Sequence, residues 1–424
     1  VRSLAEKVEK GRKGIEESRE VLISDLGHIV TGKTPSTKNP AFFGGEYQFV
    51  TPSDLEWKTY YCRSTERYVT DEAKQKHPKQ FIPADAVMVT CIGNTIGKCG
   101  ISASECLTNQ QINTIVPYEG IDPKFVYYLI VHNIGLIRGV GVGGGAATPI
   151  INKSTFSKIR LQVPSRRTWK AIASILSTFD DLIENNRRRI QLLEQAARLL
   201  YKEWFVHFRF PGHEHVKIID GVPEGWEICK VGEKSTLIRG KSYKSSDLVE
   251  SGGKPFVNLK CVARHGGFRL DGLKRFSGSY RNDQIVVPGD IVIAVTDMTR
   301  ERHLVAHPAR IPSAIGEEAV FSMDILKIIP SETVDRFWFY YFLRYSNFSQ
   351  EVREHATGTN VLHLKPKQIT DFVSAFPPRS LQEQFGEIAR SILEQQDNLI
   401  MQNERLAKAR DLLLPRLMNG EIAV

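Results

Sequence analysis

At 424 residues, with 41% hydrophobic and 25% charged side chains, the chain is long enough for two or three globular domains and ordinary in composition. No apolar run approaches the ~20 residues of a membrane-spanning helix, and the six cysteines form no CxxC pair; with no signal peptide ahead of them, they are expected as free thiols of a cytoplasmic protein that holds no metal. A net charge of +9 permits a polyanionic partner without establishing one.

Residues 1–20, with Glu, Lys and Arg in mixed runs, form an N-terminal segment that could be a short helix. Residues 21–164 read as a strand-rich globular domain, since Val, Ile, Phe and Tyr are broken by Gly, Pro, Asn and Asp; the Pro83-Ala84-Asp85 turn feeding an apolar run is one example. A short aromatic helix (Pro123 to Asn133), a glycine-bearing loop and a last strand ending at Pro164 close it. Then the period changes. Ile172, Ile175, Phe179, Leu182, Ile190, Leu193, Ala197, Leu200 and Trp204 recur at steps of three and four, with Asn186 interrupting, as in one long heptad helix over 165–210. A linker over 211–225 leads to a second strand-rich domain, 226–378, and a second long helix, 379–424. Its seam runs Phe385, Ile388, Ile392, Leu399, Leu406, Leu413 and Leu417, with Gln396 and Asn403 as polar layers.

The second half repeats the first. From Ile115-Val116-Pro117 against Ile328-Ile329-Pro330 to Phe205 against Met418, a constant offset of 213 residues aligns Asp122 with Asp335, Tyr127-Tyr128 with Tyr340-Tyr341, and Leu199-Leu200 with Leu412-Leu413. Earlier parts match more loosely, Gly32-Lys33 with Gly240-Lys241 among them. A period this long marks a duplicated domain, not a solenoid. The expected fold is therefore α+β, with an internal pseudo-twofold and two strand-rich domains joined by two long antiparallel coiled-coil helices. A 38-residue helix is about 57 Å long, which would set the domains ~50 Å apart, roughly 14–15 base pairs of DNA. Two different domains so spaced would read different half-sites around an unread gap.

Pro377-Pro378, Glu383-Gln384 and Ile388-Ala389, spaced here as PP-x4-EQ-x3-IA, resemble the entry into the helices of type I restriction-modification specificity subunits. The first copy keeps Ile172-Ala173 and Leu192-Leu193-Glu194-Gln195 but has Lys170-Ala171 where Glu-Gln stands in the second. Gly32-Lys33-Thr34-Pro35, Ile92-Gly93-Asn94-Thr95-Ile96-Gly97 and Asn109-Gln110-Gln111 are similar to the family's target-recognition domains, as is Gly225-Trp226-Glu227; in the second copy Asp297-Met298-Thr299-Arg300 replaces the Gly-Asn-Thr-Ile-Gly stretch. The resemblance implies a non-catalytic subunit that binds double-stranded DNA. It also implies docking of two modification (methyltransferase) subunits along the helices, with restriction (translocase/endonuclease) subunits as further partners. S-adenosylmethionine would belong to the modification subunit, with no cofactor in this chain.

No stretch contradicts that. Asn39-Pro40-Ala41-Phe42 lacks the second proline of an amino-methyltransferase motif. Glu56 and Lys58 form an ExK without a suitably placed upstream acid. Gly139, Gly141 and Gly144 fit GxGxxG by letter but lie between a helix and a strand, and read as a flexible loop. His303 and His307 lack a third ligand. Candidates for reading DNA are Lys33, Thr34, Ser53, Asn94, Thr95, Lys98, Asn109 and Gln110 in the first domain. In the second they are Lys241, Tyr243, Asn258, Lys260, Arg264, Thr296, Arg300, Arg302 and His363. Lysine and arginine anchor phosphates, whereas paired donors and acceptors discriminate bases. Helix pairing and subunit docking are expected from Trp169, Phe179, Leu193, Leu200, Tyr201, Trp204, Phe205, Ile392, Leu399, Leu406 and Leu413. Two rival readings are a self-sufficient methyltransferase or nuclease, which the missing catalytic motifs argue against, and an adaptor with two protein-binding domains on a coiled-coil rod.

Overall fold

A computed structural model describes residues 19–142, 149–298 and 301–424. The chain divides into two units, Val1–Glu184 with Arg405–Val424, and Asn185–Glu404. Each unit is one globular domain plus parts of both long helices, which span Trp169–Phe205 and Arg379–Met418.

In the first unit a five-stranded sheet is ordered Gly27–Thr31, Ile112–Pro117, Val87–Thr90, Cys99–Ser102, Tyr61–Cys62, antiparallel except for the last pair. The strands of a second, four-stranded sheet, ordered Arg67–Val69, Phe43–Val50, Cys106–Thr108, Phe81–Ile82, are interleaved with these along the chain. The second unit repeats the plan, with Ser235–Arg239, Ile325–Pro330, Ile291–Ala294 and Pro308–Arg310 in one sheet and a parallel Lys254–Val257/Ala319–Phe321 pair in the other. The segment before the first unit's core is not helical where it is described: Arg19–Leu22 pairs antiparallel with Arg160–Val163, taking Arg19 and Glu20 into a strand. Residues 1–18 of the expected N-terminal segment lie outside the described residues. The 211–225 linker contains a short hairpin, Ile218–Ile219 against Val222–Pro223.

The matching aromatic helices are Pro123–His132 and Arg336–Tyr345, N-capped by the side chains of Asp122 and Asp335. Asp122 accepts from the Lys124 amide at 2.8 Å and Asp335 from Phe337 and Trp338 at 3.0 and 2.8 Å, satisfying donors that a helix start leaves open. Seven consecutive residues, Phe125 to Val131, are buried in the first of them, so it packs on all sides.

The long helices pair antiparallel within each unit. In the second, Asn186 donates to Asn403 at 3.0 Å, Gln396 donates to the Ile190 carbonyl at 3.3 Å and to Glu194 at 3.1 Å, and Tyr201 meets Phe385 edge-on at 5.9 Å. These amides are the expected polar layers, and such pairs fix the register of a helical seam. In the first unit Arg410 of one helix is ion-paired with Asp180 of the other, and Tyr128 of the aromatic helix donates to Asp180 at 2.6 Å.

The buried stripe differs from the expected seam. Leu182 and Ile388 are 45% and 42% exposed, whereas Ile183, Ala389, Leu393 and Leu414 are buried. Each helix packs against its partner and against a globular domain, so the buried arc is wider than an a/d stripe and proceeds in four-residue steps, as in Ala197, Tyr201, Phe205 and Phe385, Ala389, Leu393. Leu399 is buried, and Phe179, Leu193, Leu200, Trp204, Ile392, Leu406 and Leu413 are half-buried. Trp169 is not a docking residue. It is 5% exposed, stacks on Phe125 at 4.4 Å and donates its indole N–H to the Pro164 carbonyl at 3.0 Å, anchoring the helix start to its own domain. Tyr201 and Phe205 likewise lie in the second unit's core rather than on an outer face.

Arg410→Ala should strand the buried Asp180 carboxylate and lower stability by about 3–5 kcal/mol, read as an earlier urea midpoint. Asp180→Leu combined with Arg410→Met should recover most of that loss. An unchanged midpoint in Arg410→Ala would show that the pair does not hold the helices together.

Candidate nucleic-acid interface

Glycine sets the first loop of each cluster. A Cβ on Gly32 would lie 2.2 Å from the Thr108 hydroxyl and 2.3 Å from the Asn109 carbonyl; on Gly240 it would lie 2.2 Å from the Ser322 carbonyl. Only glycine allows that approach, and it brings the next residue into register. Lys33 donates its amide to the Thr108 carbonyl at 2.8 Å, and Lys241 to the Phe321 carbonyl at 2.7 Å.

From these points the loops converge alike in both units. Asn109 N–H bonds to the Val50 carbonyl, and Ser322 N–H to that of Val257; Cys91 N–H bonds to the Gln111 carbonyl, and Val295 N–H to that of Asp324. Ile92 bridges Ile150, and Thr296 pairs with His363. One end of each domain thus gathers four segments: 32–34, 50–54, 91–98 and 109–111 in the first unit, and 240–243, 257–261, 295–298 and 322–324 in the second.

Within the first cluster Lys33, Ser53, Asn94 and Gln110 are exposed. The Thr34 hydroxyl donates to the Gln110 side-chain oxygen at 2.6 Å, orienting that amide. Ser53 shares a hydroxyl bond of 2.7 Å with Thr51, and Lys98, half-buried, donates to the Pro52 carbonyl at 3.5 Å. Thr95 turns inward and donates to the Ile92 carbonyl at 2.8 Å. In the second cluster Lys260 and His363 are exposed, and Lys241 is half-buried. Arg264, also exposed, and Arg302 lie on neighbouring loops that His265 N–H ties together through the His303 carbonyl. Arg302 is ion-paired with Glu354. Arg300 lies outside the described residues.

Three of the expected base readers are buried, and a fourth is half-buried against an aromatic ring. Asn109, 9% exposed, accepts from the Gln111 amide at 3.0 Å and shapes its own turn. Asn258, 4% exposed, donates to the Gly272 carbonyl at 2.8 Å and accepts from the Lys260 amide at 3.0 Å. Thr296 is buried in the short strand facing His363. Tyr243 is half-buried and packs edge-on against Phe256 at 4.8 Å. In each case a residue able to hydrogen-bond a base spends that capacity or surface on the loop that carries it.

The catalytic look-alikes also resolve. Asn39 caps the turn Pro40–Phe42, and Lys58 is ion-paired with Asp411 at 2.6 Å. Gly139 and Gly141 are not loop residues: they lie in the helix Ile134–Val142, where a Cβ on Gly141 would come within 2.6 Å of Ile96. Gly144, the third glycine of that pattern, falls outside the described residues.

Residues 15–195 match a family model described as the type I restriction modification DNA specificity domain. The chain is 27% identical over 414 residues to the MjaIX type I restriction enzyme specificity subunit of Methanocaldococcus jannaschii, covering 95% of this chain and 93% of that protein. Along nearly its whole length the chain is similar to type I restriction-modification specificity subunits. Among other relatives of these specificity subunits, the HindI protein of Haemophilus influenzae is 34% identical over 172 residues, 39% of this chain and 37% of its own. A type I system S subunit from M. genitalium shares the fold, with a TM-score of 0.56 at 16% identity over 96% of this chain and 97% of that one.

Sequence reasoning passed over two residues in the second cluster, Met298 and Met323. The 213-residue offset leads from Gln110 directly to Met323, but a search for hydrogen-bonding side chains skips methionine. The register also sets His307 where Lys98 stands, since Thr90 N–H bonds to the Lys98 carbonyl and Ala294 N–H to the His307 carbonyl. Among the described residues neither ring nitrogen of His307 has a hydrogen-bond partner. Burial, followed by the nearby His265, pushes its imidazole down to about 4 from 6.5. The folded state therefore favours the neutral ring, a contribution complete above pH 6.5 and lost as pH falls through 4. His307→Leu should flatten the decline in stability between pH 6.5 and 4 relative to the parent, as measured by denaturation across that range. Parallel pH profiles would show that the ring is protonated without cost.

Proposed function

We propose that the chain reads an asymmetric bipartite site in double-stranded DNA, one half-site per domain around an unread gap, and holds modification subunits over it. The observation that carries this reading is the pair of loop clusters: one backbone plan, used twice, presents different side chains each time. Lys33, Lys98, Lys241 and Lys260 supply phosphate anchors, while exposed polar residues between them face outward. Specificity by loops on a constant scaffold fits this arrangement.

The helices supply docking surface. Leu192 and Leu199 are 53% and 62% exposed, and Leu412, the counterpart of Leu199 at the 213-residue offset, is 73% exposed. Each stands on the outward side of its helix, where an apolar partner surface would cover it. We assign these positions to two modification subunits, one per domain, which would bring S-adenosylmethionine and the methylating chemistry; restriction subunits would join that complex in the cytoplasm. The target adenine has to leave the base stack to be modified, so the specificity chain's part is to grip the flanking duplex.

The test is a methylation map of DNA from cells that co-express this chain with its modification subunit. A split motif of two different half-sites, with methyladenine in each, is the expected result. No modified motif, with the partner present and active, would bring the adaptor reading forward. In binding assays, Lys33→Ala should weaken affinity uniformly across sequences and reduce the log–log salt slope by about one. A slope unchanged by the substitution would remove Lys33 from the phosphate anchors.

A further inference from the structure

The shared backbone plan gives positions in one loop cluster counterparts in the other. Because Cys91 corresponds to Val295 and Ile92 to Thr296 through their matched backbone pairings, Asn94 corresponds to Met298. Gln111 corresponds to Asp324 by the same bonds, so Gln110 corresponds to Met323. Both exposed amides of the first cluster are thus replaced by thioethers in the second, which takes two of the chain's five methionines. Met298 is 74% exposed, and Met323 is half-buried, its amide donating to the Lys241 carbonyl at 2.9 Å.

An amide side chain carries donors and an acceptor, the pattern that matches the N6 and N7 edge of adenine. The Thr34 hydroxyl bonded to the Gln110 oxygen at 2.6 Å sets that amide's orientation and leaves its NH2 group and a second oxygen lone pair for a base. A thioether has no donor and is only a weak acceptor. It cannot tell bases apart by hydrogen bonds, but it is flexible and polarisable and gains by covering apolar surface. In the major groove the apolar feature that distinguishes one base is the C5 methyl of thymine. We infer that the two domains read DNA by opposite chemistry: Asn94 and Gln110 hydrogen-bond adenine, whereas Met298 and Met323 pack on thymine methyl groups.

This inference rests on the DNA-reading function proposed above, and its test separates the two. A methylation map of the co-expressed complex first supplies the two half-sites, and the maps of Asn94→Ala with Gln110→Ala and of Met298→Ala with Met323→Ala assign each half-site to a domain by the half that relaxes. Affinity of the assembled complex is then measured for sites in which single thymines are replaced by deoxyuridine, which lacks only the methyl. In the second domain's half-site at least one such replacement should weaken binding about fourfold, the worth of one buried methyl carbon. The Met298→Ala, Met323→Ala complex should be indifferent to the same replacement. The alanine variants of Asn94 and Gln110 should relax discrimination at an adenine in the other half-site and leave the deoxyuridine penalty unchanged. The inference is overturned if deoxyuridine is tolerated throughout the second half-site, or if the methionine variants keep the penalty. Absence of any methylated motif would instead reject the DNA-reading function itself.

Discussion

A helix that is apolar on every side can exist in water only if its neighbours cover all of it. Pro123–His132 is close to such a helix, and Arg336–Tyr345 is buried without a break from Trp338 to Leu343; covering them decides much of the rest of each unit. In the first unit Phe125 stacks on Trp169 and Tyr128 donates to Asp180, so the aromatic helix clamps the start of one long helix to the sheet. In the second, Trp338 and Tyr341 pack edge-on against Phe205 and Phe385, one from each long helix. The loop clusters are carried by strands of sheets held in this way, so their side chains are displayed from a packed base. Rigid display matters because a hydrogen-bonding or methyl-sized contact discriminates bases only when its position is fixed in advance.

Polar groups buried at these junctions cost free energy unless every partner is present. The first unit answers with Asp180 between Tyr128 and Arg410. The second uses Glu194, which Arg344 approaches at 2.8 Å and to which Gln396 and Tyr345 also donate, and joins Arg310 to Asp397 at 2.5 Å. Burial pushes the Asp180 carboxyl up while Arg410 draws it back, so the arginine is what allows a carboxylate to sit there.

Much of this organisation was legible in the chain itself. The constant offset exposed the duplication, the change from alternating to helical period located both long helices, and the matching Asp122 and Asp335 marked the aromatic helices. The polar layers at Asn186, Gln396 and Asn403 were visible as breaks in an apolar pattern. What stayed hidden was whether a given polar side chain faces out or folds back. Asn258 and Gln110 each follow or sit within a strand-to-turn segment, yet one is buried against the Gly272 carbonyl and the other is exposed. That difference depends on distant chain arriving at the right place, which local pattern does not record. The same holds for Trp169: an aromatic at a helix start looks like a docking residue until Phe125, more than forty residues earlier in the chain, is seen to stack on it.

The two junctions, though built at equivalent places, do not use equivalent residues. At the 213-residue offset Asp180 corresponds to Leu393 and Arg410 to Ala197, while Arg344 corresponds to Val131 and Glu194 to Ala407. A globular domain transplanted from one half of the chain to the other would bring Tyr128 to a leucine, or the Arg344 guanidinium to an alanine, and bury each without its counter-group. The modularity that duplication offers is therefore keyed. A graft that keeps its stability has to carry its own lengths of helix, cut beyond Asp180 and Arg410 on one side or beyond Glu194 and Asp397 on the other, so the unit of exchange is larger than the part that reads.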